Sequence, residues 1–247
     1  MKFIRQNNFF KFSVLAYLFF SLTAYATNDI SEHDPQQTTM NLVVFIPPLT
    51  NPVEEFLESQ RRMIDGKSLT VEGVLLFDGH GLISQLVKYC TWKEYSHVGI
   101  LLRANTGERF CFELYDTLTV QKSQGIFAQV QITPLSSVIN NYNGRIVKRD
   151  IIHMQGTGPD ASEFVHKYLG TPLERRPIEL LKTLVRFNKE ADFTTFLCSS
   201  LVVLLFQDLG YLLSNPSANS YHPGDFAQST KWMKLQNATL EDEITLK

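Results

Sequence analysis

Hydrophobic and polar positions are most regular in the middle of the chain. Residues 95–102 (Tyr-Ser-His-Val-Gly-Ile-Leu-Leu) and 109–115 (Arg-Phe-Cys-Phe-Glu-Leu-Tyr) are β-type runs either side of Asn105-Thr106-Gly107. They predict an antiparallel hairpin. Residues 74–77 predict a buried strand that ends in the Asp78-Gly79-His80-Gly81 loop, and residues 120–135 and 144–152 hold further strand candidates. Helical spacing appears at Leu82, Leu86 and Val87, again over 160–169 with Gly170 as a stop, and over 177–187. Asn51-Pro52 opens another helix, to about residue 63: Asn51 caps, Pro52 sits in the first turn, and Glu54 and Glu55 suit the positive end of the dipole. Residues 196–209 are apolar on all sides, with Thr194 or Thr195 as cap and Gly210 beyond, which predicts a central buried helix. Residues 40–46 form a short extended run ended by Pro47-Pro48, and the chain is loop-rich from Ser214. The pattern predicts an α+β fold, with a small antiparallel sheet packed against the 196–209 helix.

The first 26 residues read as an export signal. Lys2, Arg5 and Lys11 make a basic start, residues 12–22 are apolar and uncharged, and Ala24-Tyr25-Ala26 is a small-x-small cleavage site. The apolar run falls short of the roughly 20 residues that a membrane-crossing helix needs. The expected organisation is a signal at 1–26, a linker with a short strand and helix at 27–66, a main domain at 67–230 and a C-terminal tail at 231–247. The body of the protein is then periplasmic or secreted. A net charge of −2 with no basic stripe removes nucleic acid as a partner. Three cysteines in an exported chain suggest one pair and one free thiol. If Cys198 is reactive, Cys90 and Cys111 are the only possible pair; the competing and favoured reading is that all three are reduced and two are simply buried.

Cys198 falls in the first turn of the predicted buried helix, where free N–H groups and positive potential favour a thiolate. A plain core cysteine is the competing reading. His97 stands in an apolar strand, and leaving its imidazole buried and unpaired costs about 1–3 kcal/mol. Gly99, two residues on, leaves room on the same strand face. Register counting across the hairpin puts Glu113 to Asp116 opposite His97. Glu113 is the better carboxylate, since Asp116 lies at the strand end. Nucleophile, base and orienting carboxylate together are the set that covalent acyl transfer needs. His80, His153, His166 and His222 are poorer candidates, and His33 lies in the linker. None forms a zinc spacing with a cysteine, so neither metal nor cofactor is expected.

Tyr95-Ser96-His97-Val98-Gly99-Ile100, then Phe112-Glu113, then Phe196-Leu197-Cys198-Ser199-Ser200-Leu201, resembles the permuted NlpC/P60 papain-like superfamily. It is similar more narrowly to the YiiX/YebB-like branch, in which His and Glu strands precede the Cys helix. Leu75-Leu76-Phe77, Leu169-Gly170-Thr171-Pro172 and Tyr221-His222-Pro223-Gly224-Asp225-Phe226 agree as well. The resemblance covers about residues 69–226. It implies a permuted papain-like catalytic domain: an exported cysteine hydrolase, of amidase or peptidase type, acting through Cys198, His97 and Glu113 and a thioester. Peptides, cell-wall fragments or lipids are the implied substrates, with membrane-surface association left open. The alternatives are a lipid acyl hydrolase or acyltransferase on the same fold, or a non-catalytic binding module. The sequence departs from the family at Glu72-Gly73-Val74, where Gly-Asp is usual, and at Ser199-Ser200 after the cysteine. It departs most at Leu173, where the family often has a Tyr that is a candidate oxyanion donor.

Overall fold

The computed structural model describes residues 52–115, 129–154, 156, 158–172, 197–230 and 233–247. Chain contacts separate two units, Met1–Leu49 and Thr50–Lys247; all described residues belong to the second. The signal, the 27–39 linker, the 40–46 strand, the Asn51 cap, the 177–187 helix, the Thr194/Thr195 cap, Asp116 and Leu173 lie outside the described residues. No described helix is long and apolar enough to cross a membrane.

The architecture is mixed α+β. In chain order the elements are α1 (Pro52–Ile64), β1 (Leu69–Gly79), α2 (Leu82–Thr91), β2 (His97–Ala104), β3 (Arg109–Tyr115), β4 (Gln129–Pro134) and α3 (Leu135–Asn141). Then follow β5 (Gly144–His153), α4 (Ser162–Tyr168), α5 (Cys198–Asp208), two 3-10 turns (Ala218–Ser220 and Pro223–Phe226), β6 (Ala238–Leu240) and β7 (Ile244–Thr245). One sheet runs β4-β3-β2-β1-β5-β6, with β7 also on β5. Every pairing is antiparallel.

The apolar runs of β1 and β2 are continuous because both sheet faces are covered. On one face Val74, Leu76, Val98, Ile100 and Phe112 pack with Phe164 and Val165 of α4 and with Leu201, Val202 and Phe206 of α5. On the other, Leu75, Phe77, Leu101, Cys111 and Ile146 pack with Val138 of α3. Burying each large apolar side chain contributes roughly 1.5–3 kcal/mol. Four or five such residues on α5 therefore fix that helix, and with it Cys198, against the sheet.

Three expectations change. The 74–77 strand extends to Leu69–Gly79 through an irregularity between Val71 and Gly73. A Cβ at Gly73 would lie 2.3 Å from the Arg149 carbonyl oxygen, so glycine is what lets β1 and β5 approach there. Residue 135, the end of a strand candidate, instead begins α3 directly after Pro134. The stretch expected to be a tail is partly sheet: β6 and β7 pair with β5. Arg149 staples this segment, donating to the carbonyls of Glu241 (2.7 Å), Leu240 (3.0 Å) and Phe226 (2.7 Å). Tyr95, fully buried, donates its hydroxyl to Glu243 at 2.7 Å.

Candidate active site

His97 is the first residue of β2 and Cys198 the first of α5. Each stands where a regular element begins, so a rigid scaffold aims both side chains. The β2–β3 ladder runs from Arg103–Arg109 to Ile100–Phe112. Continued, that register sets Glu113 opposite Gly99 rather than opposite His97. Glu113 therefore reaches diagonally, across a residue with no side chain. A Cβ at Gly99 would lie 3.0 Å from the Glu113 Cβ and 2.9 Å from the Cys111 Sγ. The room that Gly99 leaves in the sequence is thus filled by the carboxylate and by Cys111.

The imidazole meets the carboxylate at 2.6 Å, Nε2 to Oε2. Glu113 is 2% exposed and the His97 side chain 22%, so the carboxylate is sealed while an edge of the ring remains reachable. Phe77, paired with His97 across β1–β2, holds the ring from the side with centroids 5.0 Å apart. With Nε2 on Glu113, Nδ1 is left for Cys198, which hydrogen-bonds to the ring. The hydrogen-bonded β2–β3 pairing ends at Ile100–Phe112. Beyond it the Val98 N–H donates to the Cys198 sulfur, joined by the Ser199 N–H. The first intrahelical bond of α5 is Leu201 N–H to the Leu197 carbonyl, so the N–H groups ahead of it are the orphan donors of a helix start.

Burial opposes charge on both His97 and Cys198. On His97 it is outweighed by the negative charge and hydrogen bond of Cys198, then by those of Glu113, and the imidazole is pushed up to about 10. On Cys198 burial is outweighed by the His97 imidazolium and by the Val98 and Ser199 N–H groups, which hold the thiol below its ordinary value. The two shifts favour a thiolate facing an imidazolium. Cys198 is only partly buried.

No cysteine is in a disulfide, and the Cys90–Cys111 pair considered from the sequence is not formed. Cys111 is fully buried, and burial together with the Glu113 carboxylate drives its thiol well above the usual range. The serines after Cys198 are committed elsewhere: Ser199 donates to the Tyr221 carbonyl at 2.7 Å and Ser200 to Asn219 Oδ1 at 2.6 Å. They tie the start of α5 to the following turn. His80 and His166 are exposed. His153 is held by the Tyr211 hydroxyl (2.7 Å) and the Val71 carbonyl (3.2 Å), away from the site. His222 is buried, with its backbone N–H on Asp225. His33 lies outside the described residues. Among the described residues no three His, Cys, Asp or Glu side chains gather as a metal site requires.

The fold brings together His97, Glu113 and Cys198, which the sequence singled out, with Cys111 and the backbone of Val98 and Ser199, which it did not. Cys111 was legible: it is two residues before Glu113, so strand alternation puts both on one face. The backbone donors have no sequence signature.

No family model matches the chain, and no curated protein matches it. Among solved structures it is similar to the crystal structure of metalloprotein YiiX from Escherichia coli O157:H7, with 17% identity and a TM-score of 0.40. The match covers 72% of this chain and 96% of that one.

Proposed function

We propose that the chain is an exported cysteine hydrolase of permuted papain-like, YiiX/YebB-like type that cleaves amide or ester bonds through a thioester. The observation that carries the reading is one connected set, Cys198 to His97 to Glu113, with the thiol held down and the imidazole pushed up. The His-Glu-Cys order along the chain supports the permuted arrangement, and the 1–26 pattern supports export. Peptides, cell-wall fragments and lipids are the substrate classes, with membrane contact in the last case.

The chemistry follows from the positions. The Cys198 thiolate attacks the substrate carbonyl carbon, and the oxygen takes the negative charge. In this reading the Cys198 N–H, one of the orphan donors at the α5 start, receives that charge; one such donor is worth about 10²–10³ in rate. His97 gives its proton to the departing nitrogen or oxygen, which leaves an acyl thioester on Cys198. Water then enters and gives a proton to His97, and the resulting oxygen attacks the thioester carbon. The acid product departs and the thiolate–imidazolium pair is restored. Glu113 is a positioning residue: it fixes the ring with Nδ1 toward the sulfur and stabilises its charged form.

The test is alkylation of Cys198 by iodoacetamide, read by mass spectrometry on the Cys198 peptide across pH. The expected midpoint lies below the ordinary thiol value of about 8.5. In His97→Ala it rises to that value or above. A wild-type midpoint at the ordinary value, or faster labelling of Cys90 than of Cys198, overturns the proposal.

A further inference from the structure

The mechanism leaves one buried nucleophilic group unused. Cys111 is fully buried on β3, two residues before Glu113 on the same strand face. Its sulfur and the Glu113 Cβ both close over Gly99, at 2.9 and 3.0 Å from where a Cβ would stand there. Glu113 itself is 2% exposed. A carboxylate sealed that tightly needs donors for both oxygens. His97 serves Oε2, and Cys111 hydrogen-bonds to the same carboxylate. Burial and the Glu113 charge keep Cys111 protonated, so its S–H is the donor. The two thiols are therefore driven in opposite directions by one site: Cys198 toward thiolate, Cys111 toward permanent S–H.

We propose that Cys111 is a positioning residue, whose S–H holds the Glu113 carboxylate turned toward His97. The inference rests on the hydrolase reading of Cys198 and His97. Its consequence is specific. Without the donor, the carboxylate is no longer held in the orientation that meets His97 Nε2 at 2.6 Å. A carboxylate turned away supports the imidazolium less, and the Cys198 thiolate that faces it is weakened in turn.

The experiment uses the full chain and the Cys198 alkylation profile, with Cys111→Ala and Cys111→Ser compared against wild type. Cys111→Ala should move the acid limb up by ~0.5–1 pH unit, less than a full charged hydrogen bond because an S–H is a weak donor and acts on Cys198 only through Glu113 and His97. Cys111→Ser, which restores a donor, should lie within ~0.2 unit of wild type on the same grounds. A packing role alone would lower thermal stability and leave the limb in place. Should Cys111→Ala fail to fold, Cys111→Val fills the site without a donor and makes the same comparison. A donorless variant that superimposes on wild type overturns the proposal, as does a Cys111→Ser profile displaced as far as that of the donorless variant. A wild-type profile at the ordinary thiol value is a separate outcome, which refutes the hydrolase reading itself.

Discussion

Replacing Glu113 by glutamine removes one charge and little else. The carboxamide oxygen still accepts from His97 Nε2–H, so the ring keeps Nδ1 toward Cys198. What is lost is the negative charge 2.6 Å from Nε2, on a side chain 2% exposed. The imidazole is pushed from 6.5 up to about 10, which corresponds to roughly 5 kcal/mol at 1.36 kcal/mol per unit. Cys198 supplies the larger share and Glu113 the smaller. A hydrogen bond to a charged partner is worth about 1.5–3 kcal/mol, so Glu113→Gln should lower the His97 midpoint by ~1–2 units. The assay is the His97 Cε1–H resonance followed by NMR from acid to alkaline pH in both proteins. The sign extends to stability. A pKa raised on folding contributes stability that is fully present below the unfolded value near 6.5 and is lost as pH rises through about 10. Urea midpoints of wild type and Glu113→Gln should therefore differ most near neutral pH or below and converge in strong alkali. A variant whose His97 midpoint stays near the wild-type value would refute the electrostatic role of Glu113. A wild-type midpoint near 6.5 would refute the ion pair altogether.

Gly99→Ala sets a methyl against Cys111 Sγ and Glu113 Cβ; overpacking of this kind costs ~1–3 kcal/mol. The thermal midpoint should fall and Cys198 alkylation at neutral pH should slow, and an unchanged melting curve would show that β2 and β3 have more room than the structure gives them. Tyr95→Phe removes the bond to Glu243 at 2.7 Å and leaves the buried ring in place. A loss of about 1 kcal/mol in urea unfolding is expected, and no loss would mean that the Tyr95–Glu243 bond adds nothing to the fold.

The hairpin was legible because strand alternation and a turn signal coincide there. Tyr95-Ser96-His97-Val98 reads as strand-like, Asn105-Thr106-Gly107 turns the chain, and the return strand brings a carboxylate within a residue or two of the right place. The remaining error is informative. Direct register places Glu113 opposite Gly99, and only the missing side chain at residue 99 lets the carboxylate cross to His97. Sequence counting sees Gly99 as space but not what fills it. The start of α5 at Cys198 was close to the expected boundary, since a run apolar on all sides fixes a buried helix whatever its cap. The C-terminal residues were misread for the opposite reason. β6 and β7 are too short to show a period, and they are held by Arg149 donating to backbone carbonyls and by Glu243 accepting from Tyr95. Backbone acceptors have no sequence signature, so a segment held mainly through them reads as loop. The same limit applies at the sulfur of Cys198, where Val98 and Ser199 act through N–H groups that any residue but proline carries. Side-chain identity marked which groups do chemistry. Their charge is set first by one another and, at the sulfur, also by backbone N–H groups, which lie in two places: where β2 and β3 stop pairing, and where α5 has not yet begun to.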